Sequence, residues 1–126
     1  MGDSKKTILI IDDDKSILKT FRRLLQRCGY EVDVAETGAE AVEKLNNRFY
    51  DVALIDVRLP DMDGGDLLVL ARKELSNTVK MIITGLPMID LGNKTLEQGA
   101  DALLLKPVKP EELISLIQDK LKKKSL

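Results

Sequence analysis

Ile8-Leu9-Ile10-Ile11-Asp12-Asp13-Asp14 is an unbroken apolar run that stops on three consecutive carboxylates. Aliphatic side chains in a row suit a strand covered on both faces. The next stretch has a different period. Ile17, Leu18, Phe21, Leu24, Leu25 and Cys28 fall on one stripe of a helix. Gly29 stands where such a helix stops. The unit is therefore a strand, a charged turn and a helix. Phe21, Leu24 and Leu25 are expected to pack in the core, with Cys28 as a small buried hydrophobe at the helix end.

Working outward, the unit repeats. Short runs rich in Ile, Val and Leu lie at 7–11, 31–35, 51–56, 79–83 and 101–105, each ahead of a helical stretch. Thr37-Gly38-Ala39-Glu40 has the spacing of a capping box and opens a helix through Ala41, Val42 and Leu45. Leu67, Leu68, Leu70, Ala71 and Leu75 mark a third helix. The fourth, over 89–98, contains Gly92 and Asn93, and an irregular first turn is expected there. Pro110, with Glu111 and Glu112 behind it, starts the fifth. Leu113, Ile114, Leu116, Ile117 and Leu121 are its expected buried side, and Lys120, Lys122, Lys123 and Lys124 suit its C-terminal end. Residues 1–5 and 123–126 are expected to fray. Right-handed crossovers between parallel strands put helices on both faces of the sheet. The fold class is α/β: a (βα)5 doubly wound protein with a five-stranded parallel sheet.

Composition narrows the function. The 126 residues suit one domain, and 44% apolar with 33% charged residues excludes a disordered chain. Lys plus Arg number 20 against 21 Asp plus Glu, a net charge of -1, so a global basic field for nucleic acid is missing. With no His and one Cys, there is no Ser-His-Asp or Cys-His catalysis, no His-liganded metal and no internal disulfide. Two Tyr, two Phe and no Trp offer few stacking platforms for single strands. No apolar run approaches the roughly 20 residues of a membrane helix, nor is there a leader-like segment. No membrane association and a cytoplasmic location are expected.

In sheets of this kind, loops at the carboxyl ends of the strands build the site. Asp12, Asp13 and Asp14 follow the first run, Asp56 ends the third, Thr84-Gly85 follows the fourth and Lys106-Pro107 the fifth. Each has an ordinary reading alone: a helix cap, a strand-end turn or a solvated loop. Together they are complementary. Asp12, Asp13 and Asp56 would crowd like charges, which a divalent cation relieves. An all-oxygen set favours Mg2+ or Mn2+ over zinc. Asp56 then suits an aspartyl-phosphate nucleophile. Lys106 brings an ammonium, Thr84 a hydroxyl, and the Arg58 carbonyl a further metal ligand. Phosphoryl transfer needs little beyond such positioning and neutralisation.

Four ordered blocks carry a resemblance. They are Ile8 to Asp14, Asp51-Val52-Ala53-Leu54-Ile55-Asp56 with Val57-Arg58-Leu59-Pro60-Asp61-Met62-Asp63-Gly64, Ile82-Ile83-Thr84-Gly85, and Gly99 to Pro107. The chain resembles the receiver domains of two-component response regulators over residues 6–122. The resemblance implies the flavodoxin-like strand order 2-1-3-4-5. It implies Asp56 as phosphoacceptor, and Mg2+ held by Asp12, Asp13, Asp56 and the Arg58 carbonyl. It implies Thr84 and Lys106 as the grip on the phosphoryl group. The donor would be a sensor histidine kinase or a phosphotransfer protein in a phosphorelay. The fourth helix, fifth strand and fifth helix would form the switching face, through which a homodimer is also possible. The role is that of a signal receiver, not an enzyme beyond self-phosphorylation and weak self-dephosphorylation. The domain itself would bind no nucleic acid. It would either stand alone or be part of a larger transcription regulator or hybrid kinase.

Three positions depart from the family pattern. Leu103 stands where an aromatic ring often sits, and is expected to pack under the fourth helix. Arg58 is two residues after the phosphoacceptor, and Leu86 two after Thr84. Together they predict slow self-hydrolysis. The resemblance also points to a cis Lys106-Pro107 bond. Two rival classes fit worse. A haloacid-dehalogenase-like phosphatase wants a second Asp where Arg58 stands. A flavodoxin-like cofactor binder wants a phosphate loop where Asp12, Asp13 and Asp14 would repel phosphate.

Overall fold

Five strands alternate with five helices in a computed structural model that describes residues 5–125. In chain order these are β1 (Thr7–Ile11), α1 (Lys15–Arg27), β2 (Glu31–Ala35), α2 (Gly38–Asn47) and β3 (Val52–Asp56). Then come α3 (Gly64–Leu70), β4 (Val79–Thr84), a 3-10 turn (Leu86–Met88), α4 (Ile89–Glu97), β5 (Ala102–Leu105) and α5 (Pro110–Lys124). All pairings are parallel and the strand order is β2-β1-β3-β4-β5. The predicted doubly wound (βα)5 architecture is therefore the observed one.

The period of two along each strand sorts the core into two layers. Ile8 and Ile10 of β1, with Val52 and Leu54 of β3, meet α1 and α5 through Leu18, Phe21, Leu25, Leu113 and Ile117. Leu9, Ile11, Ala53 and Ile55 point the other way, to Ala41, Leu45, Leu67 and Leu68 of α2 and α3. The central strands β1 and β3 are buried at every position, as double coverage requires. β2 lies at the edge and is less covered: Glu31 is exposed and Asp33 and Val34 are half-buried, while Val32 and Ala35 are buried.

The local punctuation explains most boundaries. Asp14 caps α1, accepting from the amides of Ser16 and Ile17, and Gly29 ends the segment at a φ of +94°. Thr37 caps α2 by accepting from the Glu40 amide, but Glu40 accepts from the amide of Glu36, so only half of the expected capping box forms. A cap from across the chain completes α2. The Asp61 carboxylate accepts from the amides of Gly38 and Ala39 at 2.8 and 2.9 Å, which holds its carboxyl below the usual range. The full box belongs to α3, between Asp63 and Asp66.

Several expectations are corrected. α3 stops at Leu70, whose side chain is 63% exposed, while Ala71 and Leu75 are buried from the turns beyond the helix. Cys28 is exposed, because it sits past the last helical turn on the solvent side. Leu24, Ile114, Leu116 and Leu121 are half-buried on the flanks of their helices. α5 runs unfrayed to Lys124, and the other expected frayed ends, residues 1–4 and 126, lie outside the described residues. Among the described residues no helix is long and apolar enough to cross a membrane.

Candidate functional site

The carboxyl ends of β1, β3, β4 and β5 stand side by side, because β1 pairs with β3, β3 with β4 and β4 with β5. That pairing carries residues more than 40 positions apart onto one rim. Asp56 is the last residue of β3 and Thr84 the last of β4. Asp12 follows β1, and Lys106 follows β5. Asp12 is 2% exposed, Asp56 7% and Thr84 0%, whereas Asp13 is exposed.

Asp12, Asp13 and Asp56 each offer a carboxylate oxygen within 4.8 Å of the others. The Lys106 ammonium lies 3.5 Å from Asp56 Oδ1 and 4.0 Å from Asp12 Oδ2. Asp12 Oδ1 accepts from the Asp14 amide at 2.9 Å, and Asp56 Oδ1 faces the Arg58 amide at 3.5 Å. One ammonium does not balance three carboxylates. Burial raises the Asp12 pKa to about 6, and the Asp56 charge adds to that rise. Burial also raises Asp56, against the opposing pull of Lys106. A half-buried, all-oxygen cluster with surplus negative charge is a fit for a hard divalent cation.

Thr84 is on the rim but turned away from the acids. Its hydroxyl donates to Met88 O at 3.1 Å, with Gly85 O at 3.2 Å. Arg58 is exposed, and its guanidinium reaches the Met88 thioether at 3.3 Å. Met88 is thus gripped at its carbonyl by Thr84 and at its sulfur by Arg58. Sequence reasoning missed this residue, since a lone Met after Pro87 carries no signal. Behind Thr84, α4 packs closely through Gly92. A Cβ there would stand 2.9 Å from Thr84 Cγ2 and 3.2 Å from Leu103 Cδ1. Leu103 therefore lies under α4, as expected. The Lys106-Pro107 bond is cis, and Leu86 is 68% exposed at the start of the 3-10 turn.

A parallel sheet whose carboxyl rim gathers three aspartates, a lysine and a threonine defines an α/β module with an acidic rim suited to phosphoryl chemistry. Comparison with known proteins makes this specific. The family model of the response regulator receiver domain matches residues 8–118, and the chain belongs to that family. It is 36% identical over 110 residues to the cell cycle transcriptional regulator CtrA of Caulobacter vibrioides, covering 87% of this chain and 48% of that protein. The chain thus spans about half the length of that relative. Its fold superposes on a CheY-like receiver domain from Methanospirillum hungatei with a TM-score of 0.92 and 40% identity, covering 97% and 98% of the two chains. A response regulator from Burkholderia pseudomallei, solved with a phosphorylated aspartic acid and a calcium ion, matches at a TM-score of 0.83 and 25% identity, over 94% of this chain and 70% of that one. Receiver domains of this family are typically phosphorylated on Asp and bind Mg2+ at an acidic pocket, with which the Asp12–Asp13–Asp56 cluster is compatible.

Proposed function

We propose that this chain is a single receiver domain, with its core at 6–122, that accepts a phosphoryl group on Asp56. The observation that carries this reading is the convergence of Asp12, Asp13, Asp56 and Lys106 on one rim of the sheet. The donor is the phosphohistidine of a sensor kinase or of a phosphotransfer protein. An Asp56 carboxylate oxygen attacks phosphorus. The P–N bond breaks, and the imidazole leaves with the bond's electrons and takes up a proton. Asp12, Asp13, Asp56 and the Arg58 carbonyl would hold Mg2+, which when bound would supply positive charge against the phosphoryl oxygens. Lys106, already 3.5 Å from Asp56, pairs with one of those oxygens. The Thr84 hydroxyl turns from Met88 O to donate to another. Its departure frees the start of α4 and alters the α4-β5-α5 face, which regulates a partner, an output domain or a second copy of the chain.

Self-phosphorylation and slow hydrolysis are the only chemistry required of the domain, and its setting is the cytoplasm. Leu103, Arg58 and Leu86 together keep hydrolysis slow; a phosphoryl half-life of seconds at 25 °C would count against that. The span of half or less of its relatives' length supports membership of a larger transcription regulator or hybrid kinase as the second reading. Incubation with Mg2+ and acetyl phosphate, read by intact mass, tests the proposal. One acid-stable, base-labile adduct on the wild type and none on Asp56→Asn is expected. An adduct that survives in Asp56→Asn would assign the chemistry elsewhere.

A further inference from the structure

The amino ends of the strands, opposite the acidic rim, gather cations. The last turns of α5 lie against the start of β4 and the residue that precedes β5, and the open groove between them has a volume of about 390 Å3. Lys80, Lys120, Lys123 and Lys124 line it, with the acid Asp101 beside them. β4 runs six residues, from Val79 to Thr84. Roughly 16 Å of strand therefore separate this groove from the Thr84 end.

Two of these cations are already committed. The half-buried Lys80 ammonium donates to Leu75 O at 2.9 Å and to Thr78 O at 2.7 Å, and it lies 3.7 Å from Asp101 Oδ2. Asp101 also accepts from the Lys80 amide at 2.8 Å, so its charge is spent on that residue. Lys123 pairs with Asp119 at 3.2 Å on the exposed surface. Among the described residues, Lys120 and Lys124 enter no ion pair. Partial burial, and then the Lys80 charge, lower the Lys124 pKa against the pull of Asp101 and Asp51. The helix dipole favours lysines in the last turn of α5, but it does not turn them onto another cation. Lys122, in the same turn, stands outside the groove. Crowded cations pose the mirror problem of crowded acids, and an anion relieves it.

We propose that this groove binds a small anion with adjacent phosphates, either pyrophosphate or the diphosphate of a nucleotide. Two uncommitted ammonium groups call for two or more negative charges on one ligand. Lys120 and Lys124 stand one helical turn apart, about 6 Å along the axis, so the patch has the size of a diphosphate and not of a nucleic-acid strand. The neighbouring acids do not compete for those two cations. Asp101 is spent on Lys80, Asp119 on Lys123, and Asp51 on Lys6 and Thr7. The site does not depend on the chemistry assigned to Asp56, since it lies at the other end of the sheet.

The test titrates the isotope-labelled full chain with pyrophosphate in metal-free buffer at pH 7, followed by amide NMR. Shifts at 76–80, at Asp101 and at 120–124 are expected, with none at Asp12, Asp56 or Lys106. Lys120→Gln and Lys124→Gln should each weaken binding about three- to fivefold. Lys122→Gln makes the same change of charge at the same helix end and should leave binding unaltered. Lys124→Gln removes a cation crowded by Lys80, so its melting temperature without the anion should not fall, which separates lost binding from lost folding. Labelling of all three variants by acetyl phosphate should match the wild type. A parallel titration with ADP distinguishes the two sources: equal affinity assigns the site to the bare anion, and tighter binding assigns it to a nucleotide. Absence of shifts at low salt, shifts that map to the acidic rim, or equal weakening by Lys122→Gln and Lys124→Gln would each overturn the proposal. So would tighter binding of duplex DNA than of pyrophosphate at equal ionic strength.

Discussion

Helices α1 and α4 both come after strands whose carboxyl ends carry site residues, yet they begin in opposite ways. α1 starts directly on Asp14, which caps it, and buries Leu18, Phe21 and Leu25. α4 is entered through a 3-10 turn, has no side-chain cap, and buries only Gly92 and Thr95. The carboxylates on the α1 side are preformed by local chemistry: the Asp14 amide already fixes Asp12. On the α4 side the ties come from the site itself, through Thr84 and Arg58 to Met88. The half that positions charge is anchored in the core. The half held through Thr84 and Arg58 is the one the proposed switch would release. A group's release changes a helix only where that helix has little else to hold it.

The largest expected effect tests the anchoring. Leu25→Ala, at a fully buried site of α1, should cost about 2–5 kcal/mol in urea unfolding. Leu91→Ala, at a half-buried site of α4, should cost clearly less. Equal losses would remove the contrast.

Next comes the charge stored on the anchored side. The Asp12 carboxyl is raised to about 6 from 3.8. An acid raised on folding favours the folded state fully below its unfolded value, and that contribution is lost as pH rises from about 4 to about 6. Without divalent cations, Asp12→Asn should therefore be more stable at pH 7 by about 1–3 kcal/mol and flatter across that window. Thermal unfolding at a series of pH values reads both. A destabilised Asp12→Asn would mean the carboxylate is already compensated.

Gly92→Ala probes the α4 seat. Its Cβ would meet the fully buried Thr84 methyl at 2.9 Å, and Leu103 closes the other side. Overpacking should outweigh the gain of about 1 kcal/mol in helix propensity, leaving a net loss of about 1–2 kcal/mol. Faster amide exchange should accompany it in 86–92 and not in α1. A stabilised variant would mean that α4 does not rest on Thr84.

The smallest effect is the cap. Asp14→Ala removes the acceptor for the Ser16 and Ile17 amides and should cost about 1 kcal/mol. Met88→Ala, at the uncapped start of α4, has no cap to lose; its effect should appear as faster exchange at 86–92, since the Arg58 contact goes with the thioether.

The alternation of apolar runs with helical stripes was enough to place all five strands to within one residue. Strand and helix periods are local properties of the backbone, so they survive in a one-dimensional reading. Asp56, Asp12, Asp13, Thr84 and Lys106 were legible for the same reason, since each directly ends or succeeds a recognisable run. What three dimensions decided are the partners. Asp61 caps α2 from 23 residues away. Lys106 reaches Asp56 across 50. Thr84 gives its hydroxyl to Met88 rather than to the acids. Leu70 and Cys28 face solvent although their type suggested the core. Residue type and spacing determine which element forms and which side is apolar. Which groups then meet is set by strand order and helix packing, because a hydrogen bond or a Cβ contact depends on ångströms that separation along the chain does not encode.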